Sequence, residues 1–226
     1  MKVATATAIR KTIVLAEDHG MVREGLRMLL EGERDLSVVG DTGDGLTALE
    51  LVTQLQPDLL LLDLMMPGLN GLEIARRTAR SAPGTRVVIL SMHAGEPYVI
   101  KALRNGVAGY VLKDTGGAEL IHALREVLAG RRYLSPPLSL VALDAYQEKT
   151  HTAIWERYDM LTARERETLQ LLAEGHSNSA VAQRLGIGER TAETHRANLM
   201  RKLQLRTHAD LIKYMIGRGI MPADSR

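Results

Sequence analysis

Four consecutive leucines, Leu59-Leu60-Leu61-Leu62, stand between Pro57 and Asp63 and constrain the chain more than any other stretch. The run has neither helical nor alternating period, so it suits a short strand buried on both faces, as in a parallel sheet. Pro57 fits only at its start, and Pro67-Gly68 break the chain a few residues past its end. Asp63 then sits at the exit of an apolar strand, where a charge is costly unless it is solvated, paired or used. Ligands of open α/β sheets bind beyond the carboxyl ends of the strands. Asp63 is therefore either a site residue or a surface carboxylate capping the next turn.

Strand and helix patterns alternate on both sides of this run. Thr12–Ala16, Leu36–Asp41, Arg86–Leu90 and Gly109–Leu112 read as strands. Helical spacing appears over 20–30, 44–55, 71–81, 96–105 and 117–128. Five strands alternating with five helices predict a doubly wound α/β unit with a parallel sheet. Four strands end in polar groups: Glu17-Asp18, Asp63, Ser91 and Lys113. Right-handed crossovers bring all four ends to one edge. Crowded carboxylates there repel unless a cation lies among them, and hard oxygen ligands without cysteine favour Mg²⁺. Lys113 suits a phosphoryl oxygen, Ser91 can donate to another, and Asp63 can be a nucleophile that forms an acyl phosphate.

The residues Glu17-Asp18, Asp63 with Met66-Pro67-Gly68 and Gly71, Ser91, and Gly109 to Asp114 resemble the receiver domain of two-component response regulators. The resemblance implies the flavodoxin-like strand order 2-1-3-4-5 and makes Asp63 the phosphoacceptor. It also implies Mg²⁺ held by Glu17, Asp18, Asp63 and the Met65 carbonyl. Lys113 would pair with Asp63 or its phosphate, Ser91 would turn toward the phosphate, and Tyr110 would report that turn by changing its packing.

Gly130 to Pro137 breaks the alternation, and 132–157 reads as a linker between a first domain over 12–131 and a second over 158–226. A short helix over Leu138–Tyr146 is expected, and Trp155 has no assigned side. The second domain reads as four short helices. Thr162 and Glu165 form a capping box, Gly175 stops the first helix, Ser177 caps the second, and Thr207 caps the fourth. Gly186-Ile187-Gly188 turns into a third helix, Glu189–Leu203, which gives the small all-α bundle a helix-turn-helix plan. That helix places Ala192, Leu199 and Leu203 on one side and Arg190, Glu193, Thr194, Ala197, Asn198 and Arg201 on the other. The polar side is either a DNA-reading face or a solvated one. Net charge is only +2, but from Met160 onward there are 11 Lys+Arg against 7 Asp+Glu, which favours DNA.

Leu161 to Glu167, Ala173 to Asn178, Thr191, His195-Arg196 and Lys202-Leu203 resemble the LuxR-type helix-turn-helix domain, which adds Thr191 and Lys202 to the candidate DNA contacts. Ser179-Ala180 and Gly188 depart from its usual residues. With the receiver in front, the chain resembles the NarL/FixJ class. That resemblance implies a DNA-binding transcriptional regulator with a sensor histidine kinase as phosphate donor. Phosphorylation would expose the third helix and favour a homodimer, with RNA polymerase as a further candidate partner. No enzymatic substrate beyond the chain itself is implied. An aspartate-nucleophile phosphatase needs a second acid where Met65 stands, and a ligand-sensing LuxR regulator does not explain the four strand ends. Without an apolar leader or a membrane-length apolar run, the expected location is cytoplasmic.

Overall fold

The structure, a computed structural model, describes residues 10–136, 138, 157–217 and 220. The expected short helix over 138–146 and Trp155 lie essentially outside them; only Leu138 of that stretch is described, and it is buried. The first unit runs β1 (Lys11–Ala16), α1 (Gly20–Glu31), β2 (Leu36–Thr42), α2 (Gly45–Leu55), β3 (Leu59–Asp63), α3 (Gly71–Ser81), β4 (Arg86–Ser91), α4 (Glu96–Arg104), β5 (Gly109–Leu112), α5 (Gly117–Leu128) and β6 (Tyr133–Leu134). The sheet is wholly parallel, in the order β2-β1-β3-β4-β5-β6.

Alternation along the strands divides the core between two faces. Val14, Leu60, Leu62, Ile89 and Tyr110 point to the face that also buries residues of α2, α3 and α4. Ile13, Leu15, Leu59, Leu61, Val88 and Val111 point to the face covered by α1 and α5. All four leucines of β3 are at most 1% exposed, so the unbroken apolar run serves both faces at once. Each such side chain contributes about 1.5–3 kcal/mol on burial.

The sheet has one strand more than the five expected. Tyr133–Leu134, placed in the linker on sequence, pair with β5 through Tyr133 N to Ala108 O at 3.1 Å and Ser135 N to Tyr110 O at 3.0 Å. Two residues ahead of Ser-Pro-Pro show no period of their own. They form a strand only because β5 leaves an open edge.

The second unit is all helical: α6 (Ala163–Ala173), α7 (Asn178–Leu185), α8 (Glu189–Leu203) and α9 (His208–Gly217). The capping box forms, with Glu165 N donating to Thr162 Oγ1 at 3.3 Å and Thr162 N donating to Glu165 Oε2 at 2.7 Å. Ser177 Oγ accepts from Ala180 N at 3.2 Å, so the unusual residues 179 and 180 leave this cap in place. Thr207 and Asp210 cap the start of α9 reciprocally, at 3.1 and 2.9 Å. Ala192, Leu199 and Leu203 are the buried side of α8.

Candidate functional site

Strand register assembles the first site. Ala16 pairs with Leu62, so Glu17 and Asp63 leave the sheet side by side. Asp63 pairs with Leu90 and Ser91 with Leu112, which brings Ser91 and Lys113 to the same edge. The Asp63 side chain is 5% exposed. Its Oδ1 accepts from Met65 N at 3.1 Å, and its Oδ2 lies 2.8 Å from Lys113 Nζ. Lys113 Nζ also lies 2.7 Å from Glu17 Oε2.

Burial pushes the Asp63 carboxyl up to about 6, against the pull of Lys113 and with help from the Glu17 charge. Burial also opposes charge on Lys113, but the two carboxylates outweigh it and raise its pKa. The site thus holds an acid, a base and a second acid together, largely out of solvent.

Glu17, Asp18, His19 and Asp63 each offer a ligand atom, all within 4.8 Å of one another. Two carboxylates beside a buried aspartate fit a hard divalent cation. His19 was not singled out on sequence, where its only signal is adjacency to the acidic pair. Its Nδ1 lies 2.7 Å from Asp18 Oδ1 and 3.2 Å from Glu17 Oε1, and the Asp18 charge chiefly raises its pKa. Arg23 was also missed. It donates to the Glu17 carbonyl at 2.6 Å and fixes the acidic turn from α1.

Ser91 is fully buried and its Oγ accepts from His93 N at 3.0 Å. Tyr110 is fully buried, and its hydroxyl donates to the His93 carbonyl at 2.7 Å. Burial pushes the Tyr110 phenol up to about 12. Ser91 and Tyr110 are therefore tied to one residue, His93, two positions beyond β4.

On α8, Arg190, Thr191, Glu193, Thr194, Ala197 and Arg201 are exposed, and Asn198 is half-buried. This outward face is open with the two units docked, whereas the resemblance implies that phosphorylation uncovers it. Thr194 Oγ1 donates to Arg190 O at 2.8 Å, and Arg201 donates to Asn198 Oδ1 at 3.1 Å. Lys202 is turned away from the face, 2.6 Å from Glu165 Oε2, and holds the start of α6.

The model of the response regulator receiver domain matches residues 13–125, and that of bacterial regulatory proteins of the luxR family matches residues 159–215. The chain is a response regulator of the NarL/FixJ class. It is 35% identical to the oxygen regulatory protein NreC of Staphylococcus carnosus over 92% of this chain and 98% of that one. A LuxR-family two-component response regulator from Aurantimonas sp. SI85-9A1 shares 35% identity with a TM-score of 0.58, over 62% of this chain and 99% of that one. RcsB of Salmonella enterica serovar Typhimurium, solved on a promoter with the phosphomimetic BeF3⁻, shares 25% identity with a TM-score of 0.55, over 91% and 98%. As a response regulator with these two domains, the chain is a DNA-binding transcription regulator. Among the described residues, no helix is long and apolar enough to cross a membrane.

Proposed function

We propose that Asp63 accepts a phosphoryl group from the phosphohistidine of a sensor kinase, and that the resulting acyl phosphate controls DNA binding through α8. The observation that carries this is the Asp63 carboxylate, nearly buried at a strand end with Lys113 at 2.8 Å and the Glu17 and Asp18 carboxylates close enough to share a cation with it. An Asp63 oxygen attacks phosphorus, the P–N bond breaks, and the departing imidazole keeps the electron pair. A pKa of about 6 leaves this carboxylate ionised, hence nucleophilic, above that pH.

Glu17, Asp18, Asp63 and the Met65 carbonyl would hold Mg²⁺, which would offset charge on the phosphoryl oxygens. Lys113 exchanges its Asp63 partner for a phosphoryl oxygen. Ser91 turns its hydroxyl to another, which releases His93 N, and Tyr110 follows through the His93 carbonyl. The domains so switched are those read at 12–131 and 158–226, and the phosphorylated chain pairs into a homodimer in the cytoplasm. Contacts with RNA polymerase would follow from the bound dimer. The chain's only chemistry is on itself.

The outward face of α8 enters the major groove. Glu193 and Thr194 lie early on it, near base edges, and Arg201 lies two turns on, nearer a phosphate. Glu193→Ala and Thr194→Ala are expected to change sequence preference. Arg201→Ala is expected to weaken binding to all duplexes and to lower the salt slope by about one. Titration of matched, mismatched and random duplexes at several salt concentrations checks this. An Arg201→Ala chain with altered base preference and an unaltered salt slope would contradict the placement.

A further inference from the structure

The turn after β1 carries an imidazole that plays no part in the fold or in the phosphoryl chemistry above. His19 is the residue before α1, where Ser, Thr, Asp or Asn is the usual choice. Its side chain makes no capping hydrogen bond to that helix. The ring is turned instead toward the acidic pair. Its Nδ1 lies 2.7 Å from Asp18 Oδ1 and 3.2 Å from Glu17 Oε1, on a side chain that is 70% exposed.

The backbone beneath these residues is clamped. Glu17 N donates to Thr42 O at 3.0 Å, the Glu17 carbonyl accepts from the Arg23 guanidinium at 2.6 Å, and the His19 carbonyl accepts from Arg23 N at 2.9 Å. Arg23 is fixed in turn by Asp41, 3.4 Å away. Glu17, Asp18 and His19 therefore project from a held turn.

Lys113 decides which oxygens remain for a cation. Its ammonium lies 2.7 Å from Glu17 Oε2 and 2.8 Å from Asp63 Oδ2. That leaves Glu17 Oε1, the oxygen beside His19 Nδ1, and Asp63 Oδ1, to which Met65 N donates. A divalent cation about 2.1 Å from each donor in octahedral geometry holds neighbouring donors about 3.0 Å apart. The separations at His19 Nδ1, 2.7 and 3.2 Å, bracket that value.

We propose that His19 Nδ1 is a nitrogen ligand of the site, and that it turns the preference of this receiver from Mg²⁺ toward first-row transition cations of the Mn²⁺ to Co²⁺ group. The proposal rests on the reading of Glu17, Asp18 and Asp63 as a cation site and leaves Mg²⁺ able to fill it. Mg²⁺ keeps oxygen ligands and water and gains little from an imidazole, whereas Mn²⁺, Fe²⁺ and Co²⁺ gain increasingly in that order. The bound cation takes the place of the proton that Nδ1 otherwise shares with Asp18. Because the ring is mostly exposed, it reaches the ion at little cost, and its removal leaves the core intact.

The test is calorimetric titration of the full chain with Mg²⁺, Mn²⁺ and Co²⁺ in turn. His19→Ala is expected to lose about tenfold in Co²⁺ affinity and about threefold in Mn²⁺ affinity, and to keep its Mg²⁺ affinity within about twofold. His19→Gln offers an amide oxygen in place of the nitrogen and is expected to bind Co²⁺ as weakly as His19→Ala does. Pulsed electron paramagnetic resonance of the Mn²⁺-loaded chain gives a readout independent of affinity, with a nitrogen coupling expected in the parent and absent from both variants. The chain has seven histidines, so a coupling that persists in His19→Ala comes from another of them and overturns the proposal. So does an equal loss of affinity for every cation, the mark of a ring that only orients Asp18, and so does a His19→Gln chain that binds Co²⁺ as the parent does. Equal affinities in the parent and both variants also overturn it, and leave the Mg²⁺ site standing if Asp18→Asn abolishes binding. An Asp18→Asn chain that binds every cation as the parent does removes the cation site and the proposal together.

Discussion

An Asp63→Asn chain incubated with phosphoramidate and Mg²⁺ takes up no phosphoryl group, and at pH 7.5 without Mg²⁺ it unfolds at a higher temperature than its parent. The first effect is absolute because the amide nitrogen and oxygen cannot form the acyl phosphate. The second follows from linkage. Burial raises the folded pKa of Asp63 to about 6 from its ordinary 3.8, so the protonated carboxyl favours the folded chain. That contribution is fully present below about pH 4 and is lost as pH rises through about 6. The amide carries no charge at any pH and keeps it. A two-unit shift corresponds to about 3 kcal/mol, and the gain is expected at about 1–3 kcal/mol at pH 7.5, since site carboxylates relax around the change. It should vanish at pH 4. Thermal melts of both chains at the two pH values check the sign, and peptide mapping checks the label.

Gly71→Ala is expected to destabilise the chain by about 2–3 kcal/mol and to remove most of its Mg²⁺ affinity. A Cβ at this position would meet the Asp63 carbonyl oxygen at 2.5 Å, Leu64 Cα at 2.9 Å and the Leu64 carbonyl oxygen at 3.1 Å. All three are backbone atoms of the strand exit, so no side chain can yield. α3 must slide outward and carry the Met65–Asn70 turn with it, which displaces the site's backbone frame. Gly25→Ala is the contrast. It lies exposed within α1 with nothing within 4 Å of the added methyl, so only helix propensity changes, and a gain of about 0.5–1 kcal/mol is expected. Urea unfolding and Mg²⁺ titration of both variants give the comparison.

The first site was legible because strand burial and strand-end chemistry are both local in sequence. Leu59–Leu62 announce a strand wet on neither face, and Glu17, Asp63, Ser91 and Lys113 lie directly at the ends of their strands. Parallel register does the rest. The features that were not legible depend on tertiary encounter. Tyr133–Leu134 have too few residues for a period and become β6 only beside β5. His19 joins the carboxylates because α1 begins there, a fact that residue type does not encode.

The contacts between domains are the plainest case. Glu73, Arg77, Arg166 and Glu167 have the spacing of solvated helix faces, and charge on a helix is most often just that. Only docking buries Glu73, Arg166 and Glu167, joins Glu73 to Arg166 at 3.1 Å and Arg77 to Glu167, and makes α6, rather than α8, the helix the receiver covers. Lys202 shows the converse. It lies in a stretch that resembles the DNA-contacting family motif, but Glu165 of the neighbouring helix takes its ammonium at 2.6 Å.

The central claim is that phosphate on the receiver sets how the chain binds DNA. It is tested by one titration of the full chain on a duplex carrying two half-sites, enriched from random sequence by the chain itself. Parent and Asp63→Asn chains are compared with and without prior phosphoramidate and Mg²⁺ treatment. The account predicts that treatment tightens binding by the parent at least about tenfold, a coupling of about 1.4 kcal/mol, and leaves the Asp63→Asn chain unchanged. Equal affinity of the treated and untreated parent, or an equal response in the Asp63→Asn chain, would contradict it.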